Sequence, residues 1–293
     1  MFTKILIPLD GSKTSEKVLP LARVLAATLN LPIELLEVVD VSAATAHVAA
    51  DKARYLDALI AEGESVSREH LKEVAANFSG SKVACTVERG KPADVIIETA
   101  AAEPGTLIAM ATHGRSGVNR WLMGSVAEKV LRGSSNPLFL VRANEEDSTN
   151  PTATIKSVLV PLDGSELAES VLPTVLEVAK TLDSEVVLCR AYELAASAYY
   201  GSEDYLPNYD EMLRQLKAEI DNYLKEKAEA LKASGLTKVS WVAFEGASAE
   251  QIAAYWRQHP DARVIMCRHG RSGVGRWVLG SVTDRVVRHL AGA

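Results

Sequence analysis

Two short constellations in the chain have the residue types that hold phosphate and sugar. The first is Thr112-His-Gly114-Arg-Ser-Gly117, followed by Gly124-Ser125. Glycine lets backbone N–H groups approach phosphate oxygens closely. A helix N-terminus adds N–H groups with no intrahelical partner and a partial positive charge. If Gly124-Ser125 opens a helix, those N–H groups and the Ser125 hydroxyl can share one anion. Each charge-assisted hydrogen bond contributes about 1.5–3 kcal/mol, so three or four support micromolar binding after the cost of ordering a ligand. The same residues have a local reading. Ser125-x-x-Glu128 has the spacing of a capping box, and Ser281-x-x-Asp284 is a weaker version of it. A capped helix end still presents N–H groups, so both readings can hold.

The second constellation is Pro8-Leu-Asp10-Gly-Ser12. Ligands of open α/β sheets bind outside the carboxyl ends of the strands, where strand order reverses. If the first and fourth strands are neighbours, Asp10 and Gly114 flank that crevice, and Asp10 can accept from a base amino group or a sugar hydroxyl. Its bland reading is a turn aspartate. His113 and His269 have no nucleophile beside them in sequence and read as loop histidines bonded to backbone. Arg115 and Arg271 suit either a phosphate or solvent. Trp121 and Trp277 sit among apolar residues and suit packing. Cys85, Cys189 and Cys267 read as small buried residues.

Both constellations occur twice. Lys4 to Pro20 returns as Ser157 to Pro173, 153 residues on, and His113 to Val130 returns as His269 to Val286, 156 residues on. The second pair is identical at 12 of 18 positions, and a period this long means duplicated domains, not a solenoid. The domains are expected at 1–143 and 155–293, joined by the polar segment Asn144 to Thr154. Two such domains suit pairing within one chain about a pseudo-twofold axis, and a homo-oligomer is compatible. With 293 residues, 47% of them hydrophobic, the chain can fill two cores. The net charge of −6 gives no global attraction to nucleic acid or anionic lipid. No signal peptide or spanning segment is evident, and three cysteines without CxxC spacing suit a reducing compartment. A cytoplasmic protein is the expectation, with no nucleic acid or membrane as partner and no metal site.

The elements that must position these residues follow from the apolar pattern. Strands are expected at Lys4 to Leu9, Ile33 to Val39, Val83 to Val87, Leu107 to Ala111 and Leu138 to Val141. Between them lie helical stretches: Val18 to Leu29, roughly Ala43 to Ala76, one opened by Pro92, and one from Ser125. In the second copy, Leu213, Leu216, Ile220, Tyr223, Leu224 and Leu231 form an apolar stripe ending near Gly235. Strands alternating with helices imply α/β architecture, two tandem doubly wound parallel sheets. The residues at His289 to Ala293 do not match Asn136 to Arg142. The second sheet is therefore expected without its own fifth strand, leaving a fourth strand at Val264 to Cys267 as a bare edge or one paired from elsewhere.

Pro-Leu-Asp-Gly-Ser at a strand end, then Ala111-x-x-Gly114, nine residues and Gly124-Ser125, resembles the pattern of the universal stress protein family, with Ala111 in place of the first glycine. The resemblance covers each repeat except the missing last strand. It implies a five-stranded parallel sheet, and ATP, with or without magnesium, as ligand. By matching position, Pro8, Leu9 and Asp10 meet adenine and ribose, Val38 covers the base, and Met110, Ala111, His113 and Gly114 wrap the phosphates. Gly124, Ser125 and Val126 close on them, and Arg115 is a further phosphate candidate. In the second copy the matching residues are Pro161, Leu162, Asp163, Ala191, Gly270, Gly280, Ser281 and Val282. Cys267, in place of the first glycine, makes that copy the weaker candidate.

Three functions follow as expectations: an ATP-binding stress-response switch or adaptor; an interaction module whose paired domains no longer bind nucleotide; and an enzyme of a related group, such as an ATP pyrophosphatase or adenylyl transferase. The third lacks a Walker lysine, an SGGxDS-type loop and a metal cluster. Slow ATP hydrolysis is the most catalysis expected.

Overall fold

The computed structural model describes residues 2–41, 53–78, 80–112, 123–141, 155–193, 209–259, 261–268 and 279–292. The chain divides into two units, Met1–Thr154 with Ala291–Ala293, and Ile155–Leu290. The linker segment Asn144 to Thr154 lies outside the described residues.

In unit 1, strands β1 (Lys4–Leu9), β2 (Ile33–Val39), β3 (Val83–Arg89), β4 (Thr106–Ala111) and β5 (Leu138–Val141) form one sheet in the order β3-β2-β1-β4-β5. Every pairing is parallel. β1 is central, and Ile5, Leu6 and Ile7 are fully buried, as a strand covered on both faces requires. Alternate residues feed opposite layers. Leu6, Leu36, Ile108 and Met110 pack with Ala93, Ile96 and Ala100 of helix α3 (Pro92–Ala101) and Ala127 and Val130 of α4 (Ser125–Gly133). Helices α1 (Leu19–Leu29) and α2 (Ala53–Ala75) pack on the strands as well.

Unit 2 repeats this plan with β6 (Ser157–Pro161), β7 (Glu185–Tyr192), β8 (Val239–Glu245) and β9 (Ala262–Val264), in the order β8-β7-β6-β9. Besides a short helical turn at Glu166–Glu169, its helices are α5 (Leu172–Leu182), α6 (Tyr209–Ala233), α7 (Ser248–Gln258) and α8 (Ser281–Gly292). The repeat extends to the backbone. Helices α1 and α5 both end in a left-handed residue, Asn30 and Asp183, each at φ 51°. Asn and Asp tolerate that region better than other side-chain-bearing residues. No helix among the described residues is long and apolar enough to cross a membrane.

Two expectations about strands are corrected. β3 runs on to Arg89, and the fourth strand of unit 2 is Ala262–Val264, not Val264 to Cys267. The second correction has a physical cause. β1 pairs with β4 only over Thr106, Leu107 and Ile108, and β6 pairs with β9 only over the equivalent Ala262, Arg263 and Val264. In unit 1, Ala109, Met110 and Ala111 stay in register because β5 pairs with them. Ile265 still donates its N–H to the Leu159 carbonyl of β6 at 3.0 Å, but among the described residues no fifth strand pairs with residues 265–267. Ala109, Met110 and Ala111 are buried, whereas Ile265, Met266 and Cys267 are half-buried.

Candidate functional site

The chain crosses from one side of the sheet to the other between β1 and β4, which are direct neighbours. This is a topological switch point, the usual place for a ligand in an open parallel sheet. Pro8 and Leu9 end β1, Val38 lies one residue before the end of β2, and Met110 and Ala111 end β4. All therefore lie toward the carboxyl edge of one sheet. Met110 belongs to a buried apolar cluster against which Val38, Met123 and Val126 are packed.

Asp10 follows β1. Its Oδ1 accepts from the Ser12 N–H at 3.0 Å and the Ser12 hydroxyl at 2.6 Å. Its own N–H donates to Ser15 Oγ at 3.3 Å. The turn reading of Asp10 is thus realised in its geometry, and Gly11, at φ 75°, supplies the left-handed step. Unit 2 repeats the turn: Asp163 Oδ1 accepts from the Ser165 N–H at 2.9 Å and hydroxyl at 2.6 Å. Ser15, three residues beyond the Asp-Gly-Ser motif, is the contributor that the sequence did not single out.

The helix end differs from the expected capping box. The N-cap of α4 is Gly124, at φ −60° and ψ 147°, which has no side chain with which to cap the helix. Ser125 is the first helical residue, one position too late to cap. The Glu128 N–H donates to the Gly124 carbonyl at 2.9 Å, and its carboxylate meets Arg132 at 3.3 Å. In unit 2 the Asp284 N–H likewise donates to the Gly280 carbonyl at 2.9 Å, and its carboxylate pairs with Arg288. The first turn of α4 therefore carries backbone donors that its glycine N-cap leaves uncapped, the arrangement that suits an anion.

This helix end is tied to the sheet. The Gly124 N–H donates to the carbonyl of buried Thr112 at 2.7 Å, and the Thr112 N–H donates to Val141 of β5 at 2.9 Å. Thr112 thus fixes the distance between the end of β4 and the start of α4. Ala111 departs from the expected glycine without strain: the non-glycine residues at positive φ among those described are Asn30 and Asp183. Small side chains at Ala111 and an N-cap glycine leave backbone approachable. These features fit a phosphate-bearing ligand. His113, Gly114 and Arg115, with Gly117 and Trp121, lie outside the described residues.

In unit 2, Pro161 ends β6, Leu162 is buried and donates its N–H to Cys189, and Ala191 lies near the end of β7. Gly280 donates to the Arg268 carbonyl at 2.9 Å, and the Thr283 hydroxyl donates to the Cys267 carbonyl at 3.1 Å. Ser281 opens α8, and Val282 is 39% exposed, whereas its counterpart Val126 packs on the core. Gly270, with His269, Arg271 and Trp277, lies outside the described residues. The cysteines are not alike: Cys189 is buried, Cys267 half-buried and Cys85 exposed on edge strand β3, contrary to the expectation of three buried thiols.

The sequence compares well with known proteins. A universal stress protein of Methanocaldococcus jannaschii is 30% identical over 147 residues, which is 50% of this chain and 86% of that protein. The universal stress protein YxiE of Bacillus subtilis is 31% identical over 150 residues, 48% of this chain and all of that protein. The crystal structure of a universal stress protein from Archaeoglobus fulgidus superimposes with a TM-score of 0.66 over 97% of this chain and 92% of that one, at 23% identity. That likeness supports the fold. The universal stress protein family matches twice, at residues 1–142 and 154–291, so the chain belongs to the universal stress protein family as a tandem of two such domains.

Proposed function

We propose that unit 1 binds ATP at the switch point between β1 and β4, and that the protein works as a nucleotide-dependent switch or adaptor in a stress response. The observation that carries this reading is the α4 N-terminus, whose N-cap is a glycine with no side chain to occupy the first-turn N–H groups and whose N–H is held 2.7 Å from the Thr112 carbonyl at the end of β4. Pro8, Leu9, Asp10 and Val38 would meet the adenosine. Met110, Ala111, Gly124, Ser125 and Val126, together with His113, Gly114 and Arg115, would surround the phosphates. The triphosphate brings the negative charge that helix-terminal N–H groups stabilise.

Unit 2 is the weaker nucleotide candidate. Residues 265–267, which correspond to the phosphate-side backbone of β4, have no fifth strand beside them among the described residues. Preorganised donors bind better than donors that must first be ordered.

The test is direct. Freshly purified protein is denatured and any released nucleotide is identified by mass spectrometry. The nucleotide-free protein is then titrated calorimetrically with ATP and magnesium. One ATP per chain at micromolar affinity is expected. No released nucleotide and no binding heat at millimolar ATP would refute the reading.

A further inference from the structure

The turn that carries Asp10 is anchored to the rest of its unit by side chains, and the two units use different chemistry at equivalent positions. In unit 1, Glu16 lies in the 3-10 turn Ser15–Val18. Its carboxylate is 3.3 Å from His70 Nε2, while His70 Nδ1 is 3.0 Å from the Glu37 carboxylate. His70 comes from α2 and Glu37 from β2, where Glu37 is the registered partner of Leu9, the residue before Asp10. All three side chains are less than one-fifth exposed. In unit 2 the residues 153 positions later are Glu169, Tyr223 and Arg190. There the Tyr223 hydroxyl donates to Glu169 at 2.8 Å, Lys227 adds a second bond at 2.8 Å, and the Arg190 guanidinium lies 5.3 Å from the Tyr223 ring centre.

The unit 1 arrangement requires a proton that the unit 2 arrangement does not. A carboxylate only accepts hydrogen bonds, so an imidazole with a carboxylate at each nitrogen must donate from both. Only the imidazolium does so. Once neutral, one ring nitrogen turns a lone pair toward a carboxylate, and that contact is lost. Glu37 is held in a strand and is buried, whereas Glu16 sits on a short turn at the longer distance. Glu16 is the contact that yields. Its neighbour Ser15 is bonded to Asp10 and to Ser12, and the Ser12 hydroxyl is bonded to the Asp10 carboxylate. A change at Glu16 therefore reaches Asp10 through two serines.

We propose that Glu16, His70 and Glu37 form a proton-controlled latch on the Asp10 turn, so that loss of the His70 proton slackens the turn and weakens nucleotide binding in unit 1, while the Tyr223 anchor of unit 2 holds. The consequence for affinity rests on the nucleotide reading above; the latch itself does not. Burial by itself would lower the His70 pKa, but hydrogen bonds to Glu37 and Glu16, with the charges of both, raise it above the ordinary histidine value. The charges that meet His70 are Glu37 from β2 and Glu16 from the turn, with Lys13 at 3.0 Å on Glu16. Lys17 belongs to the same turn. On α2 itself Glu69, Lys72 and Glu73 are exposed, and Glu64 is paired with Arg68 and Arg89. Among the described residues no group of three or more His, Cys, Asp or Glu is placed to hold a metal ion. The sign follows from the raised value. The latch is complete below the ordinary histidine pKa of about 6.5 and is lost as pH rises through the folded-state value.

The test uses the full chain between pH 6 and 9.5. The His70 ring resonances and the Gly11 and Ser12 amide shifts are followed by NMR, and ATP affinity is measured calorimetrically at each pH. The amides are expected to move with the His70 midpoint, and affinity to fall at least about fivefold across it, the low end of site-to-site coupling. In His70→Gln both responses disappear and affinity stays near the wild-type alkaline value. Replacement of His70 by Tyr, Glu37 by Arg and Val74 by Lys, which copies unit 2, should retain affinity at high pH. A His70→Gln protein that loses affinity over the same range as the wild type overturns the latch. If no nucleotide binds at any pH, the nucleotide reading fails. The latch then stands or falls on whether the Gly11 and Ser12 amides share the His70 midpoint.

Discussion

Gly124→Asp separates a helix end built to receive an anion from one that merely begins a helix. Gly124 has φ −60° and ψ 147°, extended backbone that any residue adopts. Aspartate is among the best N-cap residues, yet it improves on glycine by only a few tenths of a kcal/mol. Its charge at the positive end of the helix adds about 0.3–1 kcal/mol. The variant should therefore be as stable as the wild type or gain up to about 1 kcal/mol, which raises the melting temperature by about 2–4 °C for a domain of this size. Binding should move the other way. The new carboxylate takes the N–H groups of the first turn and repels a phosphate there. Two unit charges about 5 Å apart repel by about 3 kcal/mol at an effective dielectric constant of 20, roughly a hundredfold in affinity. Thermal melts and calorimetric ATP titrations of Gly124→Asp and Gly280→Asp supply the comparison, and only the first is expected to abolish high-affinity binding. A Gly124→Asp protein that melts at or above the wild-type temperature and binds ATP unchanged would refute the assignment of the α4 N-terminus to the phosphates.

Two further outcomes follow from groups around the sheets. Buried Asn136 donates its side-chain amide to the Ala100 carbonyl at 3.0 Å and the Thr106 carbonyl at 3.3 Å. Asn136→Ala removes a buried donor at the entrance to β5 and should cost unit 1 about 1–3 kcal/mol, read as a shift of its urea midpoint; a shift below about 0.5 kcal/mol contradicts this role. Burial pushes the Cys189 thiol pKa up and leaves the side chain 1% exposed, whereas Cys85 is exposed on edge strand β3. Iodoacetamide should modify Cys85 in the native protein and Cys189 only in denaturant, as peptide mass mapping shows; native labelling of Cys189 at the rate of Cys85 contradicts the burial.

The parts that were legible in the sequence are those written in local pattern. Ile5, Leu6 and Ile7 read as a strand buried on both faces because the run is apolar without alternation. The Asp10-Gly-Ser12 turn and its copy at Asp163 were legible because turn chemistry depends on neighbours. The neighbouring of β1 and β4 was only a condition, since strand order is set by packing across a hundred residues. The helix cap was displaced by one residue. Ser125 and Glu128 have the right spacing, but capping depends on which residue leaves helical φ and ψ, and here that is Gly124. His70 was invisible because Glu37 and Glu16 are 33 and 54 residues away. A signal was present all the same. Aligned at the 153-residue period, Glu16 and Glu169 agree while His70 becomes Tyr223 and Glu37 becomes Arg190. Two positions that change together around one that does not are a trace of contact.

The inequality of the two units then has a different emphasis from the one that Cys267 suggested. A thiol in place of a small residue alters one contact. The lack of a fifth strand among the described residues of unit 2 bears on the support of the whole phosphate-side segment. In unit 1 the β1 ladder ends at Ile108, so Ala109, Met110 and Ala111 owe their position to Leu138–Val141, and the Thr112 N–H adds one more bond to Val141. Thr112 in turn fixes Gly124. The chain of support runs from β5 through Thr112 to the helix end, and each link is a backbone hydrogen bond. In unit 2 the last link survives, Gly280 to Arg268, but the described residues contain no strand at its start. Donors held in place before a ligand arrives bind it more tightly than donors that must be ordered by it. The proposed preference of ATP for unit 1 therefore rests on β5 as much as on any residue that would touch the nucleotide.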